Sequence, residues 1–522
     1  MSDKYRHGFD EPWDAEKALE KRREMFQMAE DHVKKQPQEQ RQYTERRSVQ
    51  EHTRAPQRTT PVRRNRKKRK VNIKGWAILI AIGLAVLALL IGLIVLIAGL
   101  FSSNEDATAP TTTIAEEPIE STESIEMKIS AVIERADRYA QSYDYDSAIA
   151  VLHEYGLDWE LQSALKAAET EYLSAQSALV RWENTEQIPH LSFRALIVDA
   201  ERAFDGDEDE LTYNQSMLTV NEFRKVLELL YEQGFVLVNM HDMVKESENG
   251  ECSQSDIYLP ADKKPIVLSQ EDVNYYQYRV DGPDEDTLPD EQGDGFACQL
   301  LLDDNGNITC KYIDKDGNVL YGAYDFVPIV EEFVAEHPDF SYRGAKGVIA
   351  VTGVEGVFGF QTHPDWETTL GEDAYMQQIR QAQGVSSTLK ENGWEIACYG
   401  YSKISFADSD ADTIAANVKR WDNQVAPIVG KTEILFYPYG LDIGSVDYYS
   451  GDKYQVLSDA GYRFFCNMDA SEYWVQLRDG YMRQARRVLD GYRLEYGEEF
   501  FDDLFDVNEI IDEARPRPVP SL

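Results

Sequence analysis

The stretch Lys264-Pro265-Ile266-Val267-Leu268-Ser269-Gln270-Glu271-Asp272-Val273-Asn274-Tyr275-Tyr276 decides the fold. Ile266 to Leu268 is a short apolar run, the pattern of a buried strand. Two adjacent carboxylates, Glu271 and Asp272, stand just past its C-terminal end. In barrels with helices outside, chemistry is done at that end of the strands. The flanking sequence has the rhythm of such a barrel. Strands are expected at 195–198, 235–238, 347–352, 395–397 and 433–437. They alternate with helices expected near 375–392 and 411–429 and before Gly461. Alternation of this kind implies right-handed crossovers and a parallel sheet or barrel. Two turns, 303–307 and 314–318, interrupt the rhythm. They read as hairpins built on Asn-Gly and Asp-Gly, since a calcium loop would need a later bidentate glutamate that is missing.

Upstream the chain changes character. Of the 53 basic and 93 acidic residues, 21 and 12 fall within 1–75. A basic tail therefore precedes a strongly acidic body, and the chain as a whole carries −40. An acidic body repels phosphate, which argues against nucleic acid as a partner. Between the two lies 76–101, without a charged residue and mostly Ile, Leu, Val, Ala and Gly. At about 1.5 Å per residue this run is long enough to cross a hydrocarbon layer of roughly 30 Å. The cluster from Arg63 to Lys70 immediately precedes it. By the positive-inside rule the tail stays in the cytoplasm and the body is exported, with the membrane itself as a partner.

The remaining organisation follows from composition. Residues 1–75 read as a largely disordered tail with one helix near 14–35. Residues 102–124, rich in Ser, Thr, Glu and Pro, read as a stalk. Residues 125–184 show helical periodicity, including a helix expected from Leu161 to Trp182, and form an α-helical spacer. The last domain runs over 188–522. All five cysteines lie in the exported body, and an odd count is no disulfide framework. Cys298 and Cys310 flank the first hairpin turn and could face each other across it.

Several motifs in order resemble the polysaccharide deacetylase family, the NodB-homology fold of the carbohydrate esterases. They are the strand with its carboxylate pair, Gly393-Trp394-Glu395-Ile396-Ala397-Cys398-Tyr399-Gly400-Tyr401-Ser402-Lys403, and Phe436-Tyr437-Pro438-Tyr439-Gly440. The similarity spans 188–522. It implies a distorted (β/α) barrel and a mechanism in which an aspartate base, a second aspartate and two histidines work around a divalent metal. Such a metal lowers the pKa of its bound water.

Residue by residue the resemblance falters at the metal. Asp272 occupies the metal-ligand aspartate position, and Glu271 stands at the base position with one extra methylene. Tyr399 and Lys403 occupy the two histidine positions, and lysine is a cation and donor, not an ordinary ligand. The last histidine in the chain is His363, so the C-terminal third has no imidazole acid. The expectation is that no metal binds and that the Lys403 ammonium neutralises the carboxylate pair. Tyr437, Pro438, Tyr439, Gly440, Trp394 and Tyr401 are the expected substrate-cleft residues. The reading is a membrane-anchored, extracellular deacetylase-like protein, catalytically impaired as a pseudoenzyme, that acts on or binds cell-wall or capsular glycan. Two alternatives stand beside it: an active N- or O-deacetylase with a rearranged site holding an ion such as zinc, and a cell-envelope scaffold.

Overall fold

The computed structural model describes residues 122–521, apart from 157, 208, 247–250, 277–292, 445–446 and 469–474. The expected cytoplasmic tail, the span at 76–101 and most of the stalk lie outside them. Among the described residues no helix is long and apolar enough to cross a membrane.

Seven strands form a closed parallel barrel: β1 (His190–Phe193), β2 (Lys264–Gln270), β3 (Gly347–Val351), β4 (Trp394–Cys398), β5 (Ile434–Phe436), β6 (Phe464–Met468) and β7 (Tyr481–Val488). Each pairs with the next in chain order, and β7 returns to β1. β2 is the seam. Its first half also pairs with a short strand, Phe235–Leu237, and its last residues pair with β3. The close approach at the seam needs a glycine, because a Cβ on Gly347 would meet the Leu268 carbonyl oxygen at 2.7 Å.

Alternation of side chains sorts the strands into an inner and an outer face. Val267, Val348, Ala350, Ala397, Ile434, Phe436, Phe464, Cys466 and Met482 fill the barrel. Ile266, Leu268, Ile349, Ile396, Leu435 and Phe465 face outward, into the core shared with the helices. The helices first needed are α1 (Thr122–Gln141), α2 (Tyr145–His153), α3 (Ser163–Ala178), α4 (Val220–Glu232), α5 (Phe326–Glu336), α6 (Glu372–Glu391) and α7 (Ala411–Gln424). α1 to α3 enclose their own small core of Ala136, Ala148, Val151, Leu152, Leu165 and Tyr172. They reach the barrel domain through Tyr143, whose hydroxyl donates to the Asp339 carbonyl at 2.8 Å.

Four local expectations change. The first barrel strand is His190–Phe193, five residues earlier than expected, and Ile197 makes only isolated bridges. The helix expected from Leu161 to Trp182 ends at Ala178, because Val180–Arg181 turns extended to pair with Tyr258–Leu259. The helix expected over 411–429 breaks after Gln424, just ahead of Pro427, which has no N–H to continue it. Both turns do join antiparallel strands, Ala297–Leu302, Ile308–Ile313 and Val319–Gly322. A register shift between Ala297 and Gln299 nevertheless leaves Leu300 opposite Cys310. Cys298 and Cys310 are accordingly free thiols, as are the other three cysteines.

One ion pair ties the C-terminal arm to the barrel's helix layer. Thr219 and Glu222 form a capping box at the start of α4, satisfying two orphan N–H groups. The same Glu222 takes a fork from Arg515, with Nε to Oε1 at 2.7 Å and Nη2 to Oε2 at 2.6 Å. Arg515 further donates to the Asn214 and Met217 carbonyls. Both charged side chains are fully buried. Arg515→Ala would leave Glu222 charged and enclosed, so it is expected to lower unfolding stability by about 3–5 kcal/mol in urea titration.

A second cluster lies where β4 and β5 begin. The His241 ring meets Glu395 through Nδ1, and Glu433 lies 3.4 Å from Nε2. Burial disfavours the charged ring, but the two glutamates outweigh it and raise His241 above its ordinary value. Burial pushes neighbouring Asp242 up to about 6. Both groups bind protons more tightly in the folded chain. Their stabilising effect is therefore full at low pH and is lost as pH rises, for Asp242 between 3.8 and about 6 and for His241 above 6.5. Asp242→Asn is expected to gain thermal stability relative to the parent as pH goes from 4.5 to 7.5, read as the difference in Tm; a pH-independent difference would contradict this.

Candidate functional site

The site sits at the mouth where the strands end. Its first part is a polar column inside the barrel. His190 lies 3.1 Å from Gln484 Oε1 and 2.8 Å from Ser269 Oγ, and is fully enclosed. Gln484 gives its own N–H to the Ile188 carbonyl, which leaves its oxygen to accept from His190 Nδ1–H. Burial, and then the nearby Arg486 charge, hold His190 well below its ordinary pKa, so the ring is neutral. Above it, Arg486 Nη1 donates to Ser192 Oγ at 2.9 Å and lies 3.3 Å from Glu271 Oε2. Its guanidinium rests over the Phe436 ring at 4.1 Å.

Glu271 extends the inward face of β2 and is buried to 3% exposure. Its other oxygen lies 3.3 Å from Arg194 Nε. The next residue turns away. Asp272 has φ +65°, a left-handed conformation that an aspartate tolerates better than most residues. Asn274 holds the turn: its amide donates to the Thr352 carbonyl and accepts from Thr352 N–H, both at 3.0 Å. The two carboxylates therefore part company. Asp272 Oδ2 accepts from Lys403 Nζ at 2.7 Å, and Oδ1 accepts from the Tyr276 hydroxyl. The ammonium also rides 4.5 Å above the Tyr276 ring.

Thus Glu271, Asp272, Tyr399 and Lys403 come together, but Lys403 answers Asp272 alone. Glu271 is answered by Arg194 and Arg486, whose roles the sequence did not reveal. One signal was there: Gln484 and Arg486 follow Met482 at two-residue spacing, on the inward face of β7. Tyr399 follows β4, is 4% exposed, and accepts from Tyr439 N–H at 3.3 Å. Burial, then the charges of Glu271 and Asp272, push its phenol well above the ordinary value.

The expected cleft residues separate. Tyr439, half-buried and at φ +62°, stands at the mouth and donates its hydroxyl to the Lys403 carbonyl at 2.9 Å. Pro438 and Gly440 shape that turn and are buried. Tyr437 is fully buried on the outer face, donating to Tyr449, which in turn is held by Asp442. Tyr401 is buried beneath Arg420 at 4.0 Å. Trp394 lies at the opposite end of the barrel, at the start of β4, and bonds Glu331. A strand five residues long separates it from the mouth, so it does not line the cleft.

The donor set can be tested against the divalent ion that the resemblance implies. Such a site needs lone pairs from neutral imidazoles or carboxylates. Here the two histidine positions hold an ammonium already bonded to Asp272 and a phenol held protonated. Among the described residues no group of three His, Cys, Asp or Glu side chains converges as metal ligands. The residues present do not fit the ion.

No protein-family model and no curated protein matches the chain. Solved structures do. The Streptococcus pyogenes deacetylase PplD, solved with acetate, is similar at TM-score 0.33 and 13% identity, over 63% of this chain and 99% of that one. A Bacillus anthracis protein described as a polysaccharide deacetylase is similar at TM-score 0.31 and 9% identity, over 63% and 70%. The deacetylase domain of BpsB from Bordetella bronchiseptica is similar at TM-score 0.29 and 12% identity, over 59% and 98%. Over roughly three-fifths of its length, then, this chain is similar to solved polysaccharide deacetylases.

Proposed function

We propose that this chain is a membrane-anchored, extracellular relative of the polysaccharide deacetylases that binds cell-wall or capsular glycan without hydrolysing it. The supporting observation is the 2.7 Å bond between Lys403 Nζ and Asp272 Oδ2. A fixed ammonium stands where the family's chemistry would need a Lewis acid carrying a water. It supplies charge but no exchangeable ligand position, so water activation is lost while the walls of the mouth remain. Tyr439 offers an aromatic face at that mouth, suited to packing against a sugar ring. The anchor is the uncharged run at 76–101, preceded by its basic cluster.

The experiment uses the full chain in detergent. Metal analysis after growth in zinc-containing medium is expected to give far less than one ion per chain. Acetate release from acetylated chitooligosaccharides is expected to stay at background, while immobilised cell-wall and capsular glycans retain the protein. Stoichiometric zinc, together with acetate release abolished by Asp272→Ala, would establish the working deacetylase instead. Failure to bind any glycan in the panel would favour the scaffold.

A further inference from the structure

The three-stranded insert ends in an open edge. Its outermost strand, Val319–Gly322, pairs only with Ile308–Ile313 among the described residues. The turn before it sets the phase of the ladder. Asp314 N–H donates to the Asn318 carbonyl at 3.0 Å, so these two residues form a hydrogen-bonded pair. Antiparallel ladders alternate bonded and unbonded pairs. By the register, Tyr312 and Leu320 are then bonded, while Ile313 faces Val319 and Lys311 faces Tyr321 without bonds. The backbone N–H and C=O of Val319 and Tyr321 therefore point outward, and they have no backbone partner among the described residues. Beyond them the edge closes, because the Ala323 carbonyl accepts from Arg224 Nη2 at 3.4 Å.

The side chains leave this edge as bare as the backbone does. Val319, Leu320 and Tyr321 are 48%, 38% and 60% exposed. Soluble proteins usually guard an edge strand with lysine, proline or a bulge. None of these lies on Val319–Gly322, and the insert's register shift is between Ala297 and Gln299, on the far strand. Charge lies just beyond each end. Lys315 and Asp316 are exposed on the turn before the strand. Past its other end, Arg224 on α4 and Glu332 on α5 pair at 2.9 Å and are 42% and 53% exposed.

We infer that this edge is a self-association surface, and that its partner is a second copy of the chain, joined antiparallel about a two-fold axis at Leu320. In that register Val319 lies opposite Tyr321 of the second copy, and Tyr321 lies opposite its Val319. Both are hydrogen-bonded pairs by the phase above, so every outward N–H and C=O of the two residues is answered without a slip. The facing side chains are a β-branched residue and an aromatic, a favourable cross-strand pair, and Leu320 meets its own counterpart. The same two-fold brings the turn bearing Lys315 and Asp316 toward Arg224 and Glu332 of the second copy, with one charge of each sign on both sides. An extended segment of another protein would answer the backbone groups, but the match of sequence and charge at both ends comes from the chain itself. The contact is small beside the roughly 20–30 residues a side of a standard interface, so a weak, micromolar dimer is expected. It does not depend on glycan binding.

The test is sedimentation velocity of the full chain in detergent, over a concentration series at physiological salt. The parent is expected to pass from monomer to dimer. Leu320→Lys and Leu320→Glu each place like charges face to face at the axis, and each is expected to weaken the dimer at least about tenfold. Mixed in equal amounts, the two are expected to recover it, because lysine then faces glutamate. Val319→Pro removes an outward N–H that the ladder to Ile308–Ile313 does not use. It is expected to weaken the dimer likewise, with its thermal melt little changed. A parent that stays monomeric throughout overturns the inference and leaves the edge to an extended segment of another protein. A dimer that none of the three variants weakens overturns it too, and places association elsewhere, such as the uncharged run at 76–101. Folded Leu320 variants that fail to recover the dimer when mixed overturn the two-fold register, and the inference with it.

Discussion

Two carboxylates placed side by side at the rim of a barrel repel each other, and the low-dielectric interior makes that repulsion costly. The fold resolves this by giving each its own cation. Glu271 lies 3.3 Å from both Arg194 and Arg486, and Asp272 lies 2.7 Å from Lys403. The left-handed turn at Asp272 makes the separation possible, because it swings the second carboxylate out of the column that the first one caps. A metal ion would gather ligands to one point. These cations are instead fixed to the chain at three places: just past β1, in the loop after β4, and on β7. Through Tyr439, which donates to the Lys403 carbonyl, the loop after β5 is drawn into the same arrangement. Removing a cation would therefore disturb the shape of the mouth as well as its charge.

Below the mouth the barrel keeps its polar atoms uncharged. His190 is enclosed and neutral, satisfied on both nitrogens by Gln484 and Ser269. A second charged group there would face burial and the Arg486 field together. The charged side chains Glu271, Asp272, Arg486 and Lys403 are thus gathered toward the strand ends, above the neutral ring. The hydrogen-bonded column below fixes the height of Arg486, since Ser192 beside His190 holds it.

The barrel was largely legible because its strands are short apolar runs separated by long helical periods, and parallel order follows from that alternation alone. What the pattern could not give was where a strand stops being useful. Ile197 is as apolar as its neighbours, yet the ladder ends at Phe193, where the β2 partner also ends. Val180 and Arg181 extend a helical pattern, but a distant strand claims them. The site was legible in its central residues and blurred at its margins. Lys403 could be brought to Asp272 because the resemblance aligned the two motifs that carry them. Trp394 was drawn into the cleft by the same motif, though it stands at the far end of the strand. Arg194, just past β1, and Arg486, on β7, lie nearly 300 residues apart in sequence and meet only when β7 pairs with β1.

The same geometry constrains what chemistry the mouth can support. Hydrolysis of an amide or ester needs a water whose proton is accepted by a group within hydrogen-bond reach. Asp272 has both oxygens engaged by donors, from Lys403 and Tyr276, and Glu271 has both engaged by guanidinium groups. Each oxygen is already an acceptor, so a water would have to share it with a donor in place. The phenol of Tyr399 is held protonated by burial and by both carboxylates, so it cannot serve as a base and is a weak acid for a leaving group. On the proposed reading, each interaction that settles the resting charges also withdraws a participant from hydrolysis. This is the physical basis of the proposed reading as a binding protein.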